Sequence, residues 1–228
     1  ALLFPIARLV DMLARRGVDT LVDGAHALGM VPLDLRALGA AYYTANCHKW
    51  LCAPKGAAFL HVRRDRQSDI RPLVISHGAN APLNGRSRFH IEFDWTGTGD
   101  PTPYLCVPEA IRHVGSLMPG GWPAIMARNH ALALEGRAAL TRALGIPAPC
   151  PDSMLGSMAT VPLPGDGPAD RTLPDPLHVA LFDQYRIDVP ITLWPAPPRR
   201  TLRISAHLHN RAEEYLALAA ALTQLLGR

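Results

Sequence analysis

The sequence has no long apolar run and no secretory leader. None of its apolar stretches reaches the roughly 18 residues that indicate a membrane-spanning helix. The N-terminus also lacks the basic flank, apolar core and small-residue cleavage site of a signal peptide. We therefore expect no membrane partner and, by default, a cytoplasmic location.

Paired cysteines are missing as well. The chain has four cysteines and no CxxC spacing, which favours buried thiols over a disulfide framework. The four are Cys47, Cys52, Cys106 and Cys150. A weak alternative is a zinc site, which would draw on His26, Cys47, His48 and Cys52.

Positive charge is not concentrated anywhere in the chain. The formal net charge is +4, but the arginines are scattered, and their densest cluster, at residues 63–66, contains an aspartate. Nucleic-acid binding would need a concentrated basic face. We therefore expect no nucleic-acid partner.

Lysine is the scarce cation. Only Lys49 and Lys55 occur, and the rest of the 23 basic residues are arginines. Lys49 stands in "TANCHKW", directly after a stretch that predicts a buried strand. A lysine can lose its proton and attack a carbonyl, whereas an arginine cannot. We interpret Lys49 as a candidate nucleophile, with an ordinary solvent-exposed loop lysine as the alternative.

The first half of the chain predicts an α/β domain. An opening helix precedes a short strand that ends at Asp23, and further strands follow at 40–45 and in "GAAFLHVRR". Helices that alternate with apolar strands are typical of a mainly parallel sheet, where ligands gather at the carboxyl ends of the strands. Residues 70–103 are rich in Gly, Pro and Arg, which predicts a long irregular segment.

The second half predicts a smaller α+β domain. We expect a long helix at 122–144, followed by strands near 154–161, 187–193 and 202–206 and by helices at 176–185 and 211–226. The predicted organisation is a first domain at 1–121, a connecting helix at 122–145 and a C-terminal domain at 146–228.

Asp23 supports the interpretation of Lys49. Its carboxylate ends a strand that we place near the strand before Lys49. An acid in this position can hold a protonated ring nitrogen, the device by which pyridoxal phosphate becomes an electron sink. "VDG" is also common in turns, so a turn or capping aspartate is the alternative. Together, Asp23 and Lys49 could flank one bound ring.

Three segments resemble the class V aminotransferase family of fold type I pyridoxal-phosphate enzymes, and within it the isopenicillin N epimerase-like branch. They are "LVDGAHALGMVPLDLRALGAAYYTANCHKWLCAPKGAAFL", "RSRFHIEFDWTGTGDPTPYL" and "LRISAHLHN". The Asp-x-x-His, His-Lys, Trp-Thr-Gly-Thr and Arg-Ile-Ser elements are specific only in combination. The resemblance implies a three-layer α/β sandwich, in which 1–121 is the C-terminal part of the large cofactor-binding domain.

The resemblance also implies the cofactor, pyridoxal 5'-phosphate, and the residues that hold its ring. Lys49 would form the internal aldimine and later move the α-proton of an amino-acid substrate. Asp23 would pair with the pyridine nitrogen, and His26 would hydrogen-bond the phenolic oxygen.

Further positions match residues that hold the phosphate or the substrate. Asn46 and His48 match phosphate ligands. Gly97 and Thr98 match a segment that reaches the phosphate of a neighbouring subunit, which implies a homodimer with a shared active site. Arg203 matches the arginine that grips the substrate carboxylate through a bidentate fork.

Two family features have no match. The phosphate loop and the residue stacked on the cofactor ring belong upstream of Asp23, where "LLFPIAR" offers neither. We therefore expect either a chain that lacks its N-terminal portion or one that holds the cofactor poorly. The alternative function is a non-catalytic truncated relative that keeps the fold and the dimer surface.

The reaction type stays open at this point. Epimerisation, transamination and carbon-sulfur lyase chemistry share nearly one site, since the cofactor supplies the common chemistry. Epimerisation needs a second acid or base, for which His26, Tyr43 and the missing portion are candidates. A cysteine desulfurase is disfavoured, because "DVPITLWPAPPRRTLRIS" contains no cysteine.

Overall fold

The computed structural model describes residues 1–169 and 174–227. Residues 170–173 and 228, which belong to the predicted C-terminal domain, lie outside the described residues. The chain divides into two compact units. One is Pro5–Leu117, and the other combines Ala1–Phe4 with Met118–Arg228.

The Pro5–Leu117 unit contains three strands and five α-helices among its described elements. The strands are β1 (Leu21–Asp23), β2 (Tyr42–Asn46) and β3 (Ala58–Val62). The helices are α1 (Ile6–Ala14), α2 (Leu35–Leu38), α3 (Arg88–Phe93), α4 (Thr102–Leu105) and α5 (Val107–Ser116). The carboxylate of Asp34 caps α2 by accepting hydrogen bonds from two backbone N–H groups of its first turn.

The sheet of this unit has the order β1-β2-β3 and is mixed. Strands β1 and β2 pair in parallel, as the sequence predicts, whereas β2 and β3 pair antiparallel. Parallel neighbours need a long crossover, usually a helix. The 47–57 connection contains no helix, so the chain turns back beside β2. The predicted parallel arrangement therefore holds for one of the two pairings in this sheet.

The segment predicted to be irregular contains a short helix, α3. The Ser87 hydroxyl caps it by accepting the N–H of His90 at 3.1 Å. Glu92, on the buried face of α3, forms ion pairs with Arg71 and Arg88. The pattern "SRFHIEF" carries both the cap and helical spacing of its aromatic residues, and the Gly and Pro content around it masked this signal.

Among its described elements, the second unit packs three α-helices with an antiparallel sheet. The helices are α6 (Gly121–Leu144), α7 (Pro176–Tyr185) and α8 (Ala212–Leu225), and the strands are β4 (Met158–Pro162), β5 (Ile191–Leu193) and β6 (Arg200–Ser205). The sheet order is β4-β6-β5. Leu202 and Ile204 of the central strand enter a core with Leu140 of α6 and with Leu218 and Leu222 of α8.

A buried ion pair joins α7 to β6. One carboxylate oxygen of Asp175 accepts a hydrogen bond from Arg200 at 2.7 Å and another from the backbone N–H of Leu177 at 2.9 Å. Asp175 therefore caps α7 while it neutralises a buried guanidinium. Arg200 has a structural role in this arrangement.

The hydroxyl of Tyr215 joins α8 to β6. It donates to the backbone oxygen of Ser205 at 2.7 Å. Burial, followed by the negative charge of Glu214, raises the pKa of Tyr215 to about 12, against a smaller opposing effect of Arg128. The folded state therefore favours the protonated phenol.

We predict that Tyr215→Phe reduces the loss of stability at alkaline pH. Because the folded pKa is raised, the contribution of this phenol is present below the ordinary pKa near 10 and is lost as pH rises towards 12. Near pH 8 the free energy of unfolding of the variant should be about 1 kcal/mol below that of the wild type, because the hydrogen bond to Ser205 is lost. Above pH 10 the free energy of unfolding should fall by about 1–2 kcal/mol less in the variant than in the wild type. Urea unfolding of both proteins between pH 8 and 12 measures this, and parallel declines would contradict it.

Candidate active site

The carboxyl ends of β1 and β2 lie side by side because the two strands are parallel. Asp23 is in register with Thr44, and the N–H of Gly24 donates to the Thr44 oxygen at 2.8 Å. The Asp23 carboxylate accepts the N–H of Ala25 at 3.0 Å, which turns the chain towards His26. The loops that carry Asp23, His26 and Lys49 therefore leave the sheet at the same end.

Gly24 is the residue that the packing of this turn requires. A Cβ at this position would lie 2.0 Å from the hydroxyl oxygen of Tyr43. Tyr43 is only 2% exposed and stacks on Phe59 with ring centroids 6.2 Å apart, so it has little freedom to move away. The close approach of Gly24 to Tyr43 fixes where the loop after Asp23 begins.

Lys49 lies within hydrogen-bonding distance of His26. Its Nζ is 3.3 Å from Nε2 of His26, and the indole N–H of Trp50 donates to Nδ1 of the same ring at 3.3 Å. Lys49 is half-buried, whereas the other lysine, Lys55, is exposed. The structure thus distinguishes the two lysines, and it groups Trp50 with His26 and Lys49.

Trp50 was not among the site residues predicted from the sequence. It is 6% exposed although it lies in a loop directly after Lys49. A large aromatic residue with one polar donor, placed beside a candidate nucleophile, is the signal that was available.

Backbone hydrogen bonds shape the loop around Lys49. The N–H of Cys52 donates to the oxygen of Lys49 at 3.1 Å, and the N–H of Ala53 donates to the oxygen of Cys47 at 3.0 Å. Asn46 is the last residue of β2, and Nδ1 of His48 lies 3.4 Å from the Ala57 oxygen. The predicted phosphate ligands Asn46 and His48 therefore flank the start of a hydrogen-bonded turn.

Gly97 and Thr98 lie on the exposed loop between α3 and α4. Gly97 has φ of 133°, a backbone conformation that favours glycine. The structure places both residues on this loop rather than in the hydrogen-bonded group of His26, Lys49 and Trp50. Their expected role at a neighbouring subunit's phosphate stays a prediction.

Arg203 lies in the other unit, on the central strand β6 opposite Thr160. It lines a cavity of about 490 Å³ together with Ser205, His209 and Asn210. Its Nε is buried and has no hydrogen-bond partner among the described residues. Arg200, which lines a separate cavity, also has a buried Nε without a partner, but its Nη1 is ion-paired with Asp175. Among the described residues no ion pair involves Arg203.

The described residues give no geometric support to the zinc alternative. Within 1–169 and 174–227, no three His, Cys, Asp or Glu side chains are arranged to hold a metal ion. Burial also raises the pKa of the Cys47 thiol and of the Cys52 thiol, which opposes the thiolate form that zinc binds.

The chain belongs to the class V aminotransferase family. The family model described as "Aminotransferase class-V" matches residues 2–145, more than half of the chain. This confirms the resemblance inferred from the Asp-x-x-His and His-Lys elements. Enzymes of the family depend on pyridoxal phosphate.

Curated relatives carry two different activities in their names. The chain is 37% identical to isopenicillin N epimerase of Amycolatopsis lactamdurans, over 98% of this chain and 56% of that protein. It is 33% identical to "Probable L-cysteine desulfhydrase, chloroplastic" of Arabidopsis thaliana, over 99% of this chain and 48% of that protein. The chain spans about half the length of these relatives.

Solved structures confirm the fold class. The apo structure of cysteine desulfurase from Thermococcus onnurineus NA1 matches with a TM-score of 0.76 at 21% identity, over 98% of this chain and 56% of that chain. At this identity the likeness shows the fold of the fold type I enzymes and nothing further. The name L-cysteine desulfhydrase among the relatives does not fit well with the prediction that disfavours a cysteine desulfurase.

The comparisons leave the cellular location open. One relative has "chloroplastic" in its name. In the part of the chain that the structure describes, no helix combines the length and the apolar character needed to cross a membrane. The cytoplasmic location stays a prediction.

The residues at the strand ends fit pyridoxal phosphate by their chemistry. An acid, Asp23, ends β1, and an amine, Lys49, follows β2 beside a histidine. A carboxylate can hold the ring nitrogen of the cofactor in its protonated form. An amine can attack the carbonyl group of the cofactor. His48 and Asn46 add polar donors at the end of β2 that suit a phosphate.

We predict that Gly24→Ala lowers the free energy of unfolding by about 1–3 kcal/mol, the usual cost of overpacking. The added methyl group would collide with the Tyr43 ring. Gly99→Ala is the matched control, because a Cβ there meets nothing within 4 Å. Urea unfolding measures both variants.

A double-mutant cycle with Tyr43→Ala separates this collision from other effects. The cost of Gly24→Ala should fall in the Tyr43→Ala background, because the ring that obstructs the methyl group is gone. An equal cost in both backgrounds would show that Tyr43 does not restrict residue 24.

Proposed function

We propose that the protein is a pyridoxal-phosphate-dependent enzyme acting on an amino acid, with Lys49 as the residue that binds the cofactor covalently. The observation that carries this proposal is the placement of Lys49 Nζ 3.3 Å from His26 Nε2, at the sheet end where Asp23 also lies. Membership of the class V aminotransferase family supports it. The proposal concerns the whole protein. This chain spans about half the length of the relatives named above.

Asp23, His26, His48 and Asn46 are the residues that we assign to hold the cofactor. When bound, pyridoxal phosphate stabilises negative charge at the α-carbon of an amino acid. The Asp23 carboxylate would keep the ring nitrogen protonated, and the ring N–H of His26 would donate to the phenolic oxygen. His48 and Asn46 would donate to the phosphate.

Lys49 would carry the proton in this site. Its amine is half-buried and hydrogen-bonded to His26, so its position is restricted. Restricted position is what a group needs in order to take a proton from the substrate α-carbon and to return it.

Arg203 is the residue that we assign to the substrate carboxylate. The cavity that Arg203 lines, and the absence of an ion pair to Arg203 among the described residues, support this assignment. A guanidinium offers two parallel N–H donors to a carboxylate, which favours an α-amino acid over a neutral amine as substrate.

Tyr43 is one of the candidates for the second acid or base of an epimerisation. Burial, followed by the negative charge of Asp23, raises the pKa of Tyr43, and its side chain is packed against Gly24. A phenol in this state is a poor second base at neutral pH. If the reaction is an epimerisation, His26 or a group outside this chain supplies the second acid or base.

Epimerisation, transamination and carbon-sulfur lyase chemistry are the reactions that we propose to test first. The name isopenicillin N epimerase supports the first, and the name L-cysteine desulfhydrase makes cysteine a substrate to include. Residues 188–205 contain no cysteine, which argues against chemistry that needs a cysteine nucleophile there. We further propose that the protein is a cytoplasmic homodimer. Gly97 and Thr98 of one subunit would then contribute to the active site of the other.

The test is covalent labelling of the two lysines. We expect the purified chain to gain an absorbance band with pyridoxal phosphate, and borohydride reduction followed by peptide mapping to place the label on Lys49. Lys49→Ala should abolish the label, whereas Lys55→Ala, the matched control, should retain it, because Lys55 is exposed and outside the His26 group.

Two outcomes would contradict the proposal. A chain that stays colourless, or a label shared between Lys49 and Lys55, would indicate a non-catalytic relative that keeps only the fold and the dimer surface. Activity assays with amino acids are informative only after label on Lys49 is established.

A further inference from the structure

Trp50 donates a hydrogen bond to one of the two ring nitrogens of His26. An indole N–H can only donate, and that of Trp50 lies 3.3 Å from Nδ1 of His26. Nδ1 must therefore accept. In a neutral imidazole the other nitrogen then carries the hydrogen, so His26 has its N–H at Nε2.

The other ring nitrogen of His26, Nε2, faces the amine of Lys49. The Nε2–H faces Nζ of Lys49 at 3.3 Å, and a neutral amine can accept it. A protonated lysine has three donors and no acceptor, so it would need a bare Nε2. That would move the hydrogen of His26 to Nδ1, where two donors would face each other across the contact with Trp50.

The contact between Trp50 and His26 lies in a tightly packed part of the fold. Trp50 is 6% exposed, and the N–H of Cys52 closes the turn over it by donating to Lys49 O. Gly29, which has φ of 80°, brings the loop after His26 against the Trp50 backbone, where a Cβ would lie 3.0 Å from the carbonyl carbon. These two contacts fix the backbone of Trp50, and the burial of the residue limits the other positions open to its indole.

We propose that Trp50 is a positioning residue: through His26, it favours the neutral, nucleophilic form of Lys49. This inference rests on the proposed function, since a neutral amine matters only if Lys49 attacks a carbonyl. The same arrangement leaves Nε2–H as a donor, which is the form in which His26 can donate to the cofactor.

The test compares Trp50→Phe with Trp95→Phe in the cofactor-free chain. Phenylalanine keeps an apolar ring but lacks the N–H, and Trp95 is a matched control because it is 44% exposed and belongs to the same unit. ¹⁵N NMR of His26 reports the tautomer. Reductive methylation reports the reactivity of Lys49, with Lys55 as internal reference.

We expect the wild-type chain and Trp95→Phe to show His26 with hydrogen on Nε2. Trp50→Phe should show a mixture of both tautomers, and the methylation rate of Lys49 relative to Lys55 should fall about threefold to tenfold, the range for loss of one hydrogen bond. An unchanged tautomer and an unchanged ratio in folded Trp50→Phe would overturn the proposal.

The wild-type spectrum keeps the proposal falsifiable if Trp50→Phe fails to fold. Hydrogen on Nδ1 of His26 in the wild-type chain would overturn it without any variant. If the tautomer and the ratio change as expected but Lys49 takes no cofactor label, the proposed function fails and the role of Trp50 in it fails with it. If Lys49 takes the label and Trp50→Phe changes neither readout, the proposed function stands and this inference alone is overturned.

Discussion

The parallel pairing of β1 with β2 is the constraint on which the candidate site depends. It aligns Asp23 with Thr44, so the two chain segments leave the sheet at one end. An antiparallel pairing would send the loop with His26 and the loop with Lys49 to opposite ends. The turn after Asp23 can follow this path only because residue 24 has no side chain to collide with Tyr43. Chemistry at Lys49 therefore depends on strand pairing and on one close packing contact.

The second unit carries two arginines on strand β6 that differ in their ion pairing. Arg200 is ion-paired with Asp175, whose carboxylate also caps α7. The charge of Arg200 is therefore neutralised within the fold. Arg203, three residues later, forms no ion pair among the described residues, although the Nε of each arginine is buried without a hydrogen-bond partner. A half-buried guanidinium without an ion pair keeps its charge available for a ligand carboxylate. This difference supports the assignment of Arg203, and not Arg200, to the substrate carboxylate.

The sequence predicts the strand ends well because local signals define them. Apolar runs closing on Asp23 and on Asn46 give the positions of β1 and β2, and the scarcity of lysine singles out Lys49. The sequence also predicts β3 in "GAAFLHVRR", but it does not predict that β3 runs antiparallel to β2, because the pattern of apolar residues does not indicate a strand's direction. The helix-free 47–57 connection decides the direction. Trp50 was missed for a similar reason, since its hydrogen bond to His26 joins residues 24 positions apart in the chain. The short helix α3 was hidden by the Gly and Pro residues around it.

A crystal structure of the chain after reduction with borohydride in the presence of pyridoxal phosphate tests the central claim most directly. The claim is that the end of the β1–β2 pair forms one cofactor site. The account predicts the cofactor attached to Lys49 Nζ, its ring nitrogen against the Asp23 carboxylate and its phenolic oxygen within hydrogen-bonding distance of His26. Attachment to Lys55, or a ring on Lys49 that contacts neither Asp23 nor His26, would contradict it.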